Sequence, residues 1–124
     1  KQFGMTEIGF GVPFTACDAR EIKIIRKYTR YIRLSEFAET FALPEDPYHI
    51  PIHGLYNDAD IREKIAAFAG NNLDDSLFVM AGHSYELEAL DHWQHMEELL
   101  KLVKDYGFET MTTMEFVNRC YPQK

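Results

Sequence analysis

Two cysteines, Cys17 and Cys120, stand far apart in 124 residues and outside any C-x-x-C pairing, so no disulfide framework or thiolate metal site can be built from them. They leave the compartment undecided. Apolar runs never approach the ~18 residues of a membrane-spanning helix, and no charged segment followed by an apolar stretch opens the chain. Positive charge is also scarce. The 13 Lys and Arg face 20 Asp and Glu, a net charge of -7. Phosphate binding needs clustered cations, so neither nucleic acid nor an acidic membrane is expected as a partner. The one basic concentration, Arg20 to Arg33, interleaves Lys23, Arg26, Lys27 and Arg30 with apolar residues and reads as a solvated helix face. Dinucleotide fingerprints, phosphate-cradling Gly-rich loops, Ser-His-Asp patterns, internal repeats and low-complexity tracts are all missing.

What is present is a composition of 46% apolar and 14% aromatic residues, enough for one domain over residues 1–124 that buries about two-thirds of its unfolded surface. Residues 7–12 form a short apolar run ended by Pro13, a strand leading into a loop. Asp18 and Glu21 have capping-box spacing, and Ile22, Ile25 and Tyr28 supply the inward face of the helix that follows. Residues 29–34 alternate as a second strand. Residues 35–47 predict a loop with one helical turn near residues 36–41, and residues 49–53 an irregular or edge strand because Pro51 cannot donate to a ladder.

Asn57 or Asp58 can cap a helix bearing Ile61, Ile65 and Phe68, stopped at Gly70. The apolar run 77–80 predicts a strand covered on both faces, ending in Ala81-Gly82-His83. Asp91 with Gln94 predicts the start of a long helix with Trp93, Met96, Leu99, Leu100 and Val103 on its core stripe, ended by Gly107. A strand at 108–111 and a helix opened by Thr112 and Glu115 close the chain. The alternation implies an α/β fold of parallel strands with crossover helices, and active groups at the C-terminal strand ends. A sheet this thin has outer edges that need cover, which predicts either a further half of the domain or a homo-oligomer. The chain opens on Lys1, consistent with an upstream portion.

Five histidines invite a metal reading. His92 and His95 share a helix face at i, i+3 but fall on the flank of the core stripe, and zinc hydrolases place helix-borne pairs at i, i+4 with a Glu between them. His49 and His53 bracket Pro51, and His53 falls in a candidate mouth loop. His83 differs from these. It follows a buried strand through Gly82, whose missing side chain lets the backbone approach a ligand, and Ser84, Tyr85 and Glu86 supply donors, an aromatic wall and a carboxylate. An imidazole there can protonate a departing amine near neutral pH.

The stretch Leu77-Phe-Val-Met-Ala-Gly-His-Ser-Tyr-Glu-Leu-Glu, continuing through Trp93 into the long helix and on to residues 108–113, resembles the closing segment of the polysaccharide deacetylase family, the NodB-homology carbohydrate esterases. Gly11-Val-Pro-Phe-Thr-Ala-Cys-Asp is similar to the family's strand-end Pro-aromatic motif, and residues 53–58 resemble a mouth loop of some relatives. Gly11 stands where the family often carries an Arg that orients the carboxylate base. The resemblance implies the later strands and helices of a distorted (β/α) barrel. It makes His83 the catalytic acid and Pro13, Phe14, His53, Tyr85 and Glu86 substrate-binding residues, with Trp93 as a further aromatic that either stacks on a sugar or fills core.

The implied reaction is removal of N-acetyl groups from an amino-sugar polymer, a glycan substrate, with a divalent metal, zinc by first expectation. The family's metal ligands belong to an N-terminal half, and no H-x-x-x-H spacing occurs in these residues, so no metal residue is assigned here and the chain alone is expected to be inactive. Two other readings stand beside this one. One is a non-catalytic deacetylase-like module that binds glycan or assembles with a partner. The other is a small α/β interaction domain in which His83 is buried and satisfied.

Overall fold

A computed structural model describes residues 4–13 and 17–123. The chain is mixed α/β with parallel strands and five helices among the described residues. None of those helices is long and apolar enough to cross a membrane. Two compact units divide the chain: residues 1–37, 44–51 and 111–124 form one, and residues 38–43 and 52–110 the other.

In the first unit, β1 (Gly9–Gly11) runs parallel to β2 (Tyr31–Phe37), with Gly9 opposite Tyr31 and Gly11 opposite Arg33. β3 begins at Ile50 on the other side of β2 and ends at Ile52. The crossover is α1 (Ala19–Ile25), which starts where expected: Asp18 accepts from the Arg20 and Glu21 N–H groups while Glu21 accepts from the Asp18 N–H. Ile22 and Ile25 pack with Val12, Ile32 and Leu34. Tyr28, expected on the inward face, is exposed because the helix has already ended and Tyr28 lies in the turn after it. Strand β2 also runs on to Phe37, where a helical turn was expected from residue 36; its alternation of buried Ile32 and Leu34 with less buried neighbours continues through Ser35, whose hydroxyl donates to the Val12 carbonyl.

Lys23, Arg26 and Lys27 are solvated, as expected of a basic face. Arg30 is not. It reaches Glu7 at 3.5 Å and donates to Asn118 and the Tyr121 carbonyl. The last helix of the chain, Thr113–Cys120, begins with the expected box of Thr112 and Glu115 and buries Phe116 and Val117.

In the second unit, β4 (Gly54–Leu55) runs parallel to β5 (Met80–Ala81), with Gly54 opposite Met80 and Leu55 opposite Ala81. The strand expected over 77–80 is shorter because the Val79 N–H donates to the His53 imidazole, so a side chain replaces a ladder carbonyl. Helix α2 (Ile61–Ala69) buries Ile61 and Ile65, but its N-cap is Asp60 and not Asn57 or Asp58. Asp58 instead accepts from the Leu55 N–H and pairs with Lys64, and together these hold the Asp58 carboxyl below its ordinary range.

Helix α3 (Ser84–Ala89), an element that spacing did not predict, begins directly after His83, and α4 (Trp93–Asp105) follows. The expected Asp91–Gln94 box does not form, because Asp91 has φ +53° and belongs to the end of α3. The His92 N–H donates to the Leu87 carbonyl and the Asp91 N–H to that of Glu88, the two bonds of a Schellman motif. Gly107, φ +73°, ends α4 in the left-handed conformation that favours glycine. Residues 108–111, expected as a strand, make no ladder.

Tyr56, Ile61, Ile65 and Leu99 form this unit's core, with Phe78, Met80, Leu87, Met96, Leu102 and Phe108 against them. Trp93 and Leu100, both assigned to the core stripe by spacing, are 54% and 57% exposed. The buried face of α4 is rotated toward His92, His95, Met96 and Leu99, all at least half-buried. Leu99→Ala is therefore expected to cost ~2–5 kcal/mol in urea denaturation, while Leu100→Ala costs less than ~0.5 kcal/mol.

Candidate functional site

At the C-terminal ends of the parallel β4–β5 pair the chain places Tyr56 on one side and Gly82-His83 on the other. The Tyr56 N–H continues the ladder by donating to the Ala81 carbonyl at 2.9 Å. Its ring, 1% exposed, lies over Gly82: a Cβ on residue 82 would stand 2.4 Å from the Tyr56 ring. Glycine was read from sequence as room for a ligand, but Tyr56 takes that room. A cavity of about 170 Å³ opens beside it, lined by Tyr56, Met80, His83, Ser84, Leu87 and Met96. Its floor is apolar and its rim carries the imidazole.

His83 is the N-cap residue of α3, and its side chain is 64% exposed. Because Glu86 stands three residues on in the first turn, its Oε1 comes within 3.4 Å of His83 Nδ1. The Tyr85 ring stacks on the imidazole at 5.2 Å and 27°, itself 68% exposed. An exposed imidazole with a carboxylate on one nitrogen and an aromatic face beside it has the parts of a proton donor facing a polar, ring-shaped ligand.

Behind these residues lies a polar cluster that sequence spacing missed. The Tyr56 hydroxyl is 2.9 Å from His92 Nδ1, and His95 Nε2 donates to the Tyr56 carbonyl at 2.7 Å. Both histidines, expected on a solvated flank, are therefore turned onto Tyr56. Burial, then the neighbouring Glu86 carboxylate, raises the Tyr56 phenol above its ordinary 10. The one sequence signal for Tyr56 was its place in the loop-like segment 53–58, at the end of a short extended run.

The other expected site residues lie elsewhere. His53 is buried between Phe41 and Phe78, accepts from the Val79 N–H at Nδ1 and donates to the Thr40 carbonyl from Nε2. It does not line the cavity. Pro13 is exposed in the first unit, and Phe14 falls outside the described residues. In that unit Arg33 crosses the β1–β2 pairing to cover Gly11, its Nη2 lying 3.4 Å from where a Cβ would stand. Trp93 is exposed, its indole N–H donating to Glu88. Among the described residues no three His, Cys, Asp or Glu side chains converge as metal ligands.

Comparison with protein-family models, curated proteins and solved structures returns no match for the chain.

Two outcomes follow from this geometry. Gly82→Ala should cost ~1–3 kcal/mol in urea denaturation, because the added methyl must displace a buried ring. Burial holds the His53 imidazole below its ordinary 6.5, so the unfolded chain takes up that proton first. The stability tied to His53 is full above pH 6.5 and is lost as pH falls below it toward the folded value. The urea midpoint should drop across that window, and His53→Asn should flatten the drop.

Proposed function

We propose that the chain is the later portion of a polysaccharide-deacetylase-like hydrolase, the closing strands and helices of a distorted (β/α) barrel, acting on N-acetylated amino-sugar polymers. The observation that carries this reading is the open position of His83 at the C-terminal end of a parallel strand, on the rim of a cavity with an apolar floor and flanked by Tyr85 and Glu86. That position counts against an interaction domain with a buried, satisfied His83. The Gly-His-Ser-Tyr-Glu motif gives the reading its chemistry.

In this reaction water adds to the acetyl carbonyl and gives its proton to a carboxylate outside this chain. The C–N bond then breaks, acetate departs, and the His83 imidazolium gives the amine its proton. The exposed Tyr85 ring offers an apolar face to the sugar. The divalent ion that supplies Lewis-acid chemistry in the family would be held by residues outside these 124. A second reading, a non-catalytic glycan-binding or assembly module, is favoured by Gly11 in place of the family's Arg.

The intact mass and metal content of the native protein, with deacetylation of an N-acetylated amino-sugar oligomer, test the proposal together. A larger, metal-loaded native protein is expected, losing about 10²–10⁴-fold in rate on His83→Ala, while the purified 124 residues alone release no acetate. Full activity of the His83→Ala protein would overturn the role of His83. A native, metal-free protein of 124 residues would leave the binding module, and metal-dependent deacetylation by the isolated chain would overturn the division of the site.

A further inference from the structure

A carboxylate is the one member of the His83, Glu86, Tyr56 and His92 cluster that can only accept hydrogen bonds. Glu86 is largely covered, its side chain 23% exposed, and its Oε1 sits 3.4 Å from His83 Nδ1. The first turn of α3 sets that approach: the Glu86 N–H donates to the His83 carbonyl at 3.0 Å, so the two side chains rise from the same end of one helix.

We propose that Glu86 is a positioning residue for His83: its carboxylate, 3.4 Å from Nδ1, holds the Nδ1–H of the imidazole. His83 Nε2, which has no partner among the described residues, is thereby left to face the ligand. This rests on the catalytic reading of His83 and changes the part played by Glu86 from touching sugar to orienting the imidazole.

A carboxylate has only acceptor oxygens, so the imidazole nitrogen that faces it is the one that carries hydrogen. Tyr85, stacked on the imidazole, limits the ring orientations open to His83. Which nitrogen of a histidine carries the proton is set by the bond the other makes, so the arrangement fixes one tautomer of His83.

Imidazole ¹⁵N and ¹³C shifts of the 124-residue chain, read at a pH where the rings are neutral, decide the matter without any assay of catalysis. His83 is expected as the Nδ1–H form. Glu86→Ala should release His83 to the Nε2–H form that a free ring favours, and Glu86→Gln, whose amide oxygen still accepts, should retain Nδ1–H. Tyr56→Phe should leave His83 in place. His83 standing as Nε2–H in the unsubstituted chain, or keeping its tautomer in Glu86→Ala, would overturn the proposal. If Glu86→Ala does not fold, the unsubstituted chain decides alone, and His83 as Nε2–H overturns it. Full activity of native His83→Ala would instead remove the catalytic reading and leave these tautomers untouched, so the two failures are told apart.

Discussion

Tyr56 lies over Gly82 with its whole ring buried, and both of its polar side-chain and carbonyl groups need partners there, since an unpaired polar group out of water costs ~1–3 kcal/mol. The partners come from α4. His92 reaches the hydroxyl and His95 the carbonyl, one helical turn apart. Those two bonds determine which face of α4 turns inward, so Met96 and Leu99 reach the core while Trp93 and Leu100 stay in water. The same ring walls the cavity and limits residue 82 to glycine, and His83 is delivered to the rim. Much of this unit's arrangement follows from one aromatic side chain seated at the end of a parallel strand pair.

The short helix α3 links that seat to the chemistry. It begins at His83, and its first turn carries Glu86 back toward the imidazole. At its other end the Schellman pair puts Asp91 at φ +53° and directs the chain into α4 with His92 toward Tyr56. A loop through residues 84–91 would leave Glu86 and His92 free to point elsewhere. Six helical residues instead carry Glu86 to the His83 imidazole and His92 to the Tyr56 phenol.

How much could be read beforehand depended on whether a feature was local. The Asp18–Glu21 and Thr112–Glu115 boxes, the stop at Gly107 and the core positions Ile61 and Ile65 all followed from spacing and residue type, because each rests on contacts within a turn or on a regular period. His83, Tyr85 and Glu86 were legible as a group for the same reason: they are neighbours in sequence. Asp91 misled because its capping signal belonged to the end of one helix and not the start of the next. His53 misled because an extended segment holding proline looks like a loop, whereas its ring substitutes for a strand carbonyl and packs between two phenylalanines.

The residues by themselves determined an acidic α/β chain with capped helices and a histidine just past a short parallel strand that is part-buried where full cover was expected, since composition, period and strand-end position are properties of short stretches. Only the tertiary structure decided that Tyr56 fills the space over Gly82, that His92 and His95 face inward, and that Trp93 faces out. The first two outcomes pair groups separated by tens of residues, and the need to satisfy buried polar atoms, which no local spacing records, selects among the helix faces that hydrophobic period alone leaves nearly equal.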